Sequence, residues 1–193
     1  MLNTYKLPLR FNPHLLKLDL EKLSQDDWVP HFNTRYYEGE WSAVALRSVG
    51  GVSGQIYPDP TAQDKFADTV VLERCANIKD ALARFDCPLQ SVRLLRLRPG
   101  SVIREHKDFN LGYEDGEIRI HVPVQTNAGV GFFLNGERLL MNEGESWYIN
   151  FNLPHRVENF GETDRIHLVV DCEVNDWLRS QLSIDFAHGR EAK

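Results

Sequence analysis

EIRIHVPVQTNAGVGFFLNGERLLMNEGESWYINFNLPHRVENFGETDRIHLVVD, residues 117–171, is the stretch that decides the fold. Short runs rich in Val, Ile, Phe and Tyr alternate with polar residues, and Gly, Asn, Asp or Pro separates most of them, which is how consecutive β-strands read. Asn135-Gly136, between FFL and ERLLM, is the strongest hairpin signal, because both residue types tolerate the positive φ of a type I′ turn. Working outward, SVRLLRLRP (91–99) and SVIREH (101–106) precede this stretch, and its last strand runs on to Val174. Eight short strands at near-regular spacing predict a mainly β protein with flanking helices. Its core is expected to be a double-stranded β-helix, a cupin-like jelly roll.

The remainder is organised around that core. Residues 1–88 are expected to form a helix-containing cap and support, 89–173 the jelly-roll core, and 174–193 a terminal helix and tail, all in one domain. Asn12 caps an expected helix with Pro13 at its first position and Leu15, Leu16, Leu20 and Leu23 at helical spacing. A second helix is expected from Leu72 to Phe85, and a third after Asn175 or Asp176 through NDWLRSQLSIDF. WSAVALRS (41–48) reads as a strand, and GGVSGQIYPDPTAQ (50–63) as a turn-rich loop.

At 193 residues the chain is long enough to bury a sizeable interior. Its net charge of −6 argues against a nucleic-acid-binding surface. No run approaches the length of a membrane span, and the opening MLNTYKLPLRF lacks the apolar core of a secretory signal. Cys75, Cys87 and Cys172 are an odd set without metal-site spacing, so reduced thiols in a cytoplasmic protein are expected.

Strand alternation locates the chemistry. Ile118, Ile120, Val122 and Val124 share one face, expected to lie against a companion sheet, while Arg119, His121 and Pro123 share the other. Further on, Arg165, His167, Val169 and Asp171 oppose Ile166, Leu168 and Val170. His106 and Asp108 form an H-x-D pair of common parity, and His155 follows a proline late in the core. Two imidazoles and one carboxylate can occupy one face of an Fe(II) octahedron and leave positions open for O2 chemistry. Arg165, ten positions after His155, suits a small carboxylate, because a guanidinium fork pairs such groups bidentately.

These residues resemble the aspartyl/asparaginyl β-hydroxylase family of Fe(II)/2-oxoglutarate oxygenases, over residues 93–171. The resemblance implies that His106, Asp108 and His155 bind iron and are the catalytic centre. It implies that Arg165 binds the far carboxylate of 2-oxoglutarate, and that Arg119 and His121 contact the cosubstrate's other end. Peptidyl members have glycine in place of Asp108, so the complete triad is similar to that of bacterial free-proline hydroxylases. The implied reaction is hydroxylation of an unactivated C–H of an amino acid, with 2-oxoglutarate converted to succinate and CO2. The alternatives are a peptidyl aspartyl/asparaginyl hydroxylase acting on a short peptide, and a cupin-like metal-binding protein without catalysis. Substrate contacts are open among Trp147, Asn150, Arg35, Tyr36, Trp41, Arg93, Arg96 and Arg98.

Overall fold

The computed structural model describes residues 2–57 and 65–182. Strand β1 (Thr4–Arg10) and helix α1 (Pro13–Leu20) open the chain, followed by short strands β2 (Val29–Pro30) and β3 (Tyr37–Glu38). Next come β4 (Trp41–Val49), β5 (Phe66–Asp68) and helices α2 (Val70–Arg74) and α3 (Ala76–Leu82). The expected core supplies β6 (Leu89–Leu97), β7 (Ser101–His106), β8 (Glu117–Gln125), β9 (Val130–Leu134), β10 (Glu137–Leu139), β11 (Glu145–Ile149), β12 (His155–Asn159) and β13 (Arg165–Glu173). Helix α4 (Asp176–Gln181) follows, and residues 183–186 of the expected terminal helix lie outside the described residues.

Two antiparallel sheets result. One runs β1-β11-β8-β13-β6-β4-β2, with β5 on β4; the other runs β10-β9-β12-β7-β3. This is the expected jelly roll, and residues before 89 are woven into both of its sheets. The Asn135-Gly136 turn joins β9 to β10 with φ of 50° and 83°, the double positive φ of a type I′ turn.

The apolar face of the larger sheet packs differently from the expectation. Ile118, Ile120, Val122, Val124, Leu168 and Val170 meet Leu16, Val71, Leu72, Ile78, Leu82 and Phe85 of the helical layer, not the companion sheet. The helices need an apolar platform, and this face is the one on which the site's polar residues do not project. Each fully buried Leu or Ile there contributes roughly 1.5–3 kcal/mol. The space between the sheets is therefore left to a second cluster, including Trp41, Leu97, Ile103, Phe132 and Phe151, and to the polar residues it surrounds.

Three local departures have physical causes. The helix expected over 72–85 is broken at Cys75 (φ −106°, ψ 65°), and α3 restarts under a cap supplied from α1. Buried Asp19 accepts from the Ile78 backbone N–H at 2.8 Å and from Asn77 Nδ2 at 2.9 Å. Strand β1 had no clear periodicity because it carries Pro8; it sits at a sheet edge, where a missing N–H is tolerated. The ERLLM strand stops at Leu139, the 146–152 strand at Ile149, and α1 at Leu20. Of the 50–63 loop, residues 58–63 lie outside the described residues.

Asp19→Ala leaves the α3 N-terminus without its buried acceptor and should lower unfolding free energy by about 1–3 kcal/mol in urea titration. An unchanged midpoint would contradict the cap.

Candidate active site

Antiparallel pairing of β7 with β12 sets His106 directly opposite His155. Their ring centroids are 4.2 Å apart. His106 Nδ1 lies 2.8 Å from the Arg104 carbonyl, and His155 Nδ1 lies 3.1 Å from the Leu153 carbonyl. A carbonyl only accepts, so in its neutral form each ring carries its hydrogen on Nδ1 and presents a bare Nε2, the form a metal requires. Asp108 lies just past β7, pinned by its N–H to the Phe151 carbonyl at 3.0 Å. One donor atom from each of His106, Asp108 and His155 lies within 4.8 Å of the others. Burial, then the neighbouring His106, pushes the His155 pKa down to about 4, which keeps its lone pair free at neutral pH.

A charge lattice stands beside this group. Arg119 Nη1 donates to Asp108 at 2.7 Å, while its Nε and Nη2 grip both oxygens of Asp171 at 2.6 and 2.9 Å. Arg93 Nη2 donates to the same Asp171 at 2.6 Å and its Nη1 to the Ile56 carbonyl at 3.1 Å. Burial opposes the Asp171 charge, but the two guanidiniums overcome it and lower its pKa. Removing one member of such a buried network costs about 3–5 kcal/mol, because the partner charge is left exposed to a low dielectric.

His106, Asp108, His155, Arg119 and Arg93 line a cavity of about 280 Å³ between the sheets, with Asp171 behind them. Arg165 reaches it from the start of β13 and is 1% exposed. Among the described residues no carboxylate pairs with it; Nη2 donates to His167 Nδ1 at 2.9 Å, and Nε has no partner. Burial alone pulls its pKa down to about 9, still charged at neutral pH. A buried cation without a counter-ion is costly, and an opposite charge beside it would relieve that cost.

Both imidazoles, the carboxylate, Arg119, His121 and Arg165 thus converge on one cavity, joined by Tyr36, Trp41 and Arg93. Arg35, Trp147, Asn150, Arg96 and Arg98 do not line it. Arg96 bonds Ser42 and lies over Trp28, and Arg98 pairs with Glu40 at the surface. Parity put Arg96 and Arg98 together; the inner face of β6 belongs instead to Arg93 and Leu95. Sequence reasoning gave no role to Asp171, His167 or His31. The first two share the inward parity of Arg165, a signal that was available. His31 lies in an irregular stretch with no periodicity to expose it, yet it stacks on Trp41 with ring centroids 3.5 Å apart.

Residues 11–174 match the family described as Aspartyl/Asparaginyl beta-hydroxylase. The chain belongs to that family. Within this family relationship, the L-proline cis-4-hydroxylase of Rhizobium meliloti (strain 1021) is 25% identical over 190 residues, covering 90% of this chain. The chain spans 62% of that relative's length. Two solved structures share the fold of this β-hydroxylase family member. One is an oxidoreductase of the 2OG-Fe(II) oxygenase family from Burkholderia pseudomallei, with TM-score 0.57, 16% identity, and 90% and 86% of the two chains covered. The other is HygX from Streptomyces hygroscopicus with nickel and 2-oxoglutarate bound, with TM-score 0.55, 14% identity, and 90% and 84% covered.

Burial, then Arg93, lowers the His31 pKa to about 4. Its neutral form is thus favoured by folding, so its stabilising effect is full above an unfolded pKa near 6.5 and is lost as pH falls toward 4. His31→Phe keeps the stack and should flatten the decline of melting temperature between pH 6.5 and 4. An identical slope in both proteins would remove His31 from that linkage.

Proposed function

We propose that this protein is an Fe(II)/2-oxoglutarate-dependent dioxygenase that hydroxylates an unactivated C–H of an amino acid. The observation that carries this reading is the pairing of two features in one cavity: a His-Asp-His group with both Nε2 atoms bare, and a buried arginine without a counter-ion. Fe(II) held by His106, Asp108 and His155 would supply O2 activation coupled to decarboxylation of 2-oxoglutarate to succinate and CO2.

The residues of the chain provide binding, orientation and exclusion of water. Arg165 pairs with the far carboxylate of the cosubstrate, which meets an already desolvated guanidinium and needs no proton transfer. Arg119, clamped by Asp171, holds the second oxygen of Asp108 and so limits that carboxylate to one direction toward the metal. Arg119 and His121 line the near end of the cosubstrate's path. Phe132, Phe151 and Trp41 keep the cavity apolar around these charges, which strengthens each electrostatic contact.

Arg93, already paired with Asp171, keeps one buried and unpartnered donor, Nε, on the cavity wall, which makes it a candidate contact for a substrate carboxylate. A cavity of about 280 Å³ lies at the small end of ligand sites, which supports a free amino acid over an extended peptide. Among the described residues no helix is long and apolar enough to cross a membrane.

Purified protein given Fe(II), 2-oxoglutarate and a panel of free amino acids and short Asp/Asn peptides should form succinate and a hydroxylated amino acid in equal amounts. His106→Ala and Asp108→Ala should abolish that coupled turnover, and Arg165→Ala should raise the 2-oxoglutarate requirement about ten- to hundredfold. Full succinate formation by His106→Ala, or an unchanged requirement in Arg165→Ala, would contradict the assignment.

A further inference from the structure

His167 lies two residues beyond Arg165 on the same face of β13 and is 2% exposed. It carries no role in the metal chemistry. Its Nδ1 is 2.9 Å from Arg165 Nη2 and 3.2 Å from His121 Nδ1. A guanidinium nitrogen only donates, so His167 Nδ1 holds a lone pair and the ring's hydrogen is on Nε2. Two facing lone pairs at 3.2 Å would repel, so the His121 nitrogen carries hydrogen and shares the one lone pair of His167 Nδ1 with Arg165 as a three-centre bond. Burial first, then the Arg165 charge, pushes both imidazoles well below the usual histidine range, so each has a single ring hydrogen. His121 Nε2 is consequently bare, and it is buried without a partner. His167 also lines a second cavity of about 300 Å³, which shares Phe132 with the first.

We propose that His167 is a positioning residue for the cosubstrate: one nitrogen both aims the Arg165 guanidinium and locks the tautomer of His121. The bond uses a hydrogen of Nη2 and leaves Arg165 Nε–H free for a carboxylate. His121 in turn offers the cavity an acceptor, so a cosubstrate carboxylate meets it across a proton-bearing group such as a bridging water. The cosubstrate part rests on the dioxygenase reading; the tautomer part stands on the metal-free fold.

Two measurements test this. In metal-free protein labelled with 15N-histidine, long-range 1H–15N spectra should give His121 with hydrogen on Nδ1 and His167 with hydrogen on Nε2, assigned with His121→Phe. His121 protonated on Nε2 would overturn the tautomer lock. In nickel-loaded protein, calorimetric titration with 2-oxoglutarate should weaken on the order of tenfold or more for His167→Leu. His167→Gln, whose amide oxygen can accept from Arg165, should recover most of that affinity. Equal affinity in wild type and folded His167→Leu would overturn the positioning role alone. No 2-oxoglutarate binding by wild type would overturn the cosubstrate reading with it. If His167→Leu does not fold, His167→Met is compared with His167→Gln in the same titration, and equal affinities would likewise overturn the role.

Discussion

Pairing between β7 and β12 puts His106 opposite His155, and the rest of the site is arranged around that register. Side chains alternate along a strand, so a slip of one residue would turn one imidazole out of the barrel and destroy the cluster. The register is held from both sides. On one, β12 pairs with β9, which the Asn135-Gly136 turn ties to β10; on the other, β7 carries β3. The bonds from the Asp108 N–H to the Phe151 carbonyl, from His106 to the Arg104 carbonyl of its own strand and from His155 to the Leu153 carbonyl just before β12 then fix the three donors as a group.

Charge is organised in two zones that differ in how they are balanced. Around Asp171, two guanidiniums and the Asp108 carboxylate form a closed lattice in which every charge meets an opposite one. At Arg165 the balance is open, with a neutral imidazole in place of a counter-ion. The first zone is balanced within itself, and it fixes one oxygen of Asp108 against Arg119. The second is costly to bury without an opposite charge. The apolar residues between the sheets, Phe132 and Phe151 among them, sharpen both effects by excluding water.

Much of this was legible in the sequence because it rests on period-two alternation and turn chemistry. The strand succession from 91 to 174, the I′ hairpin, and the inward parity of Arg119, His121 and Arg165 all follow from local rules. What alternation does not report is which layer covers the apolar face: the same Ile118-Ile120-Val122-Val124 row suits a sheet or a helix, and the helices took it. Likewise, the 72–85 helix reads as continuous because the cap that restarts it, Asp19, comes from far away in the chain. The Pro8 strand is supported by its edge position, a property of the assembled sheet. Asp171 and His167 were on the correct face but had no motif, since their role is to bind other site residues.

The most direct test is an anaerobic crystal structure with Fe(II) and 2-oxoglutarate, read by anomalous scattering at the iron edge. The expected map has one metal peak bonded to His106 Nε2, an Asp108 oxygen and His155 Nε2, with the far carboxylate of the cosubstrate on Arg165. A metal peak outside that trio, or a cosubstrate seated away from Arg165, would contradict the account.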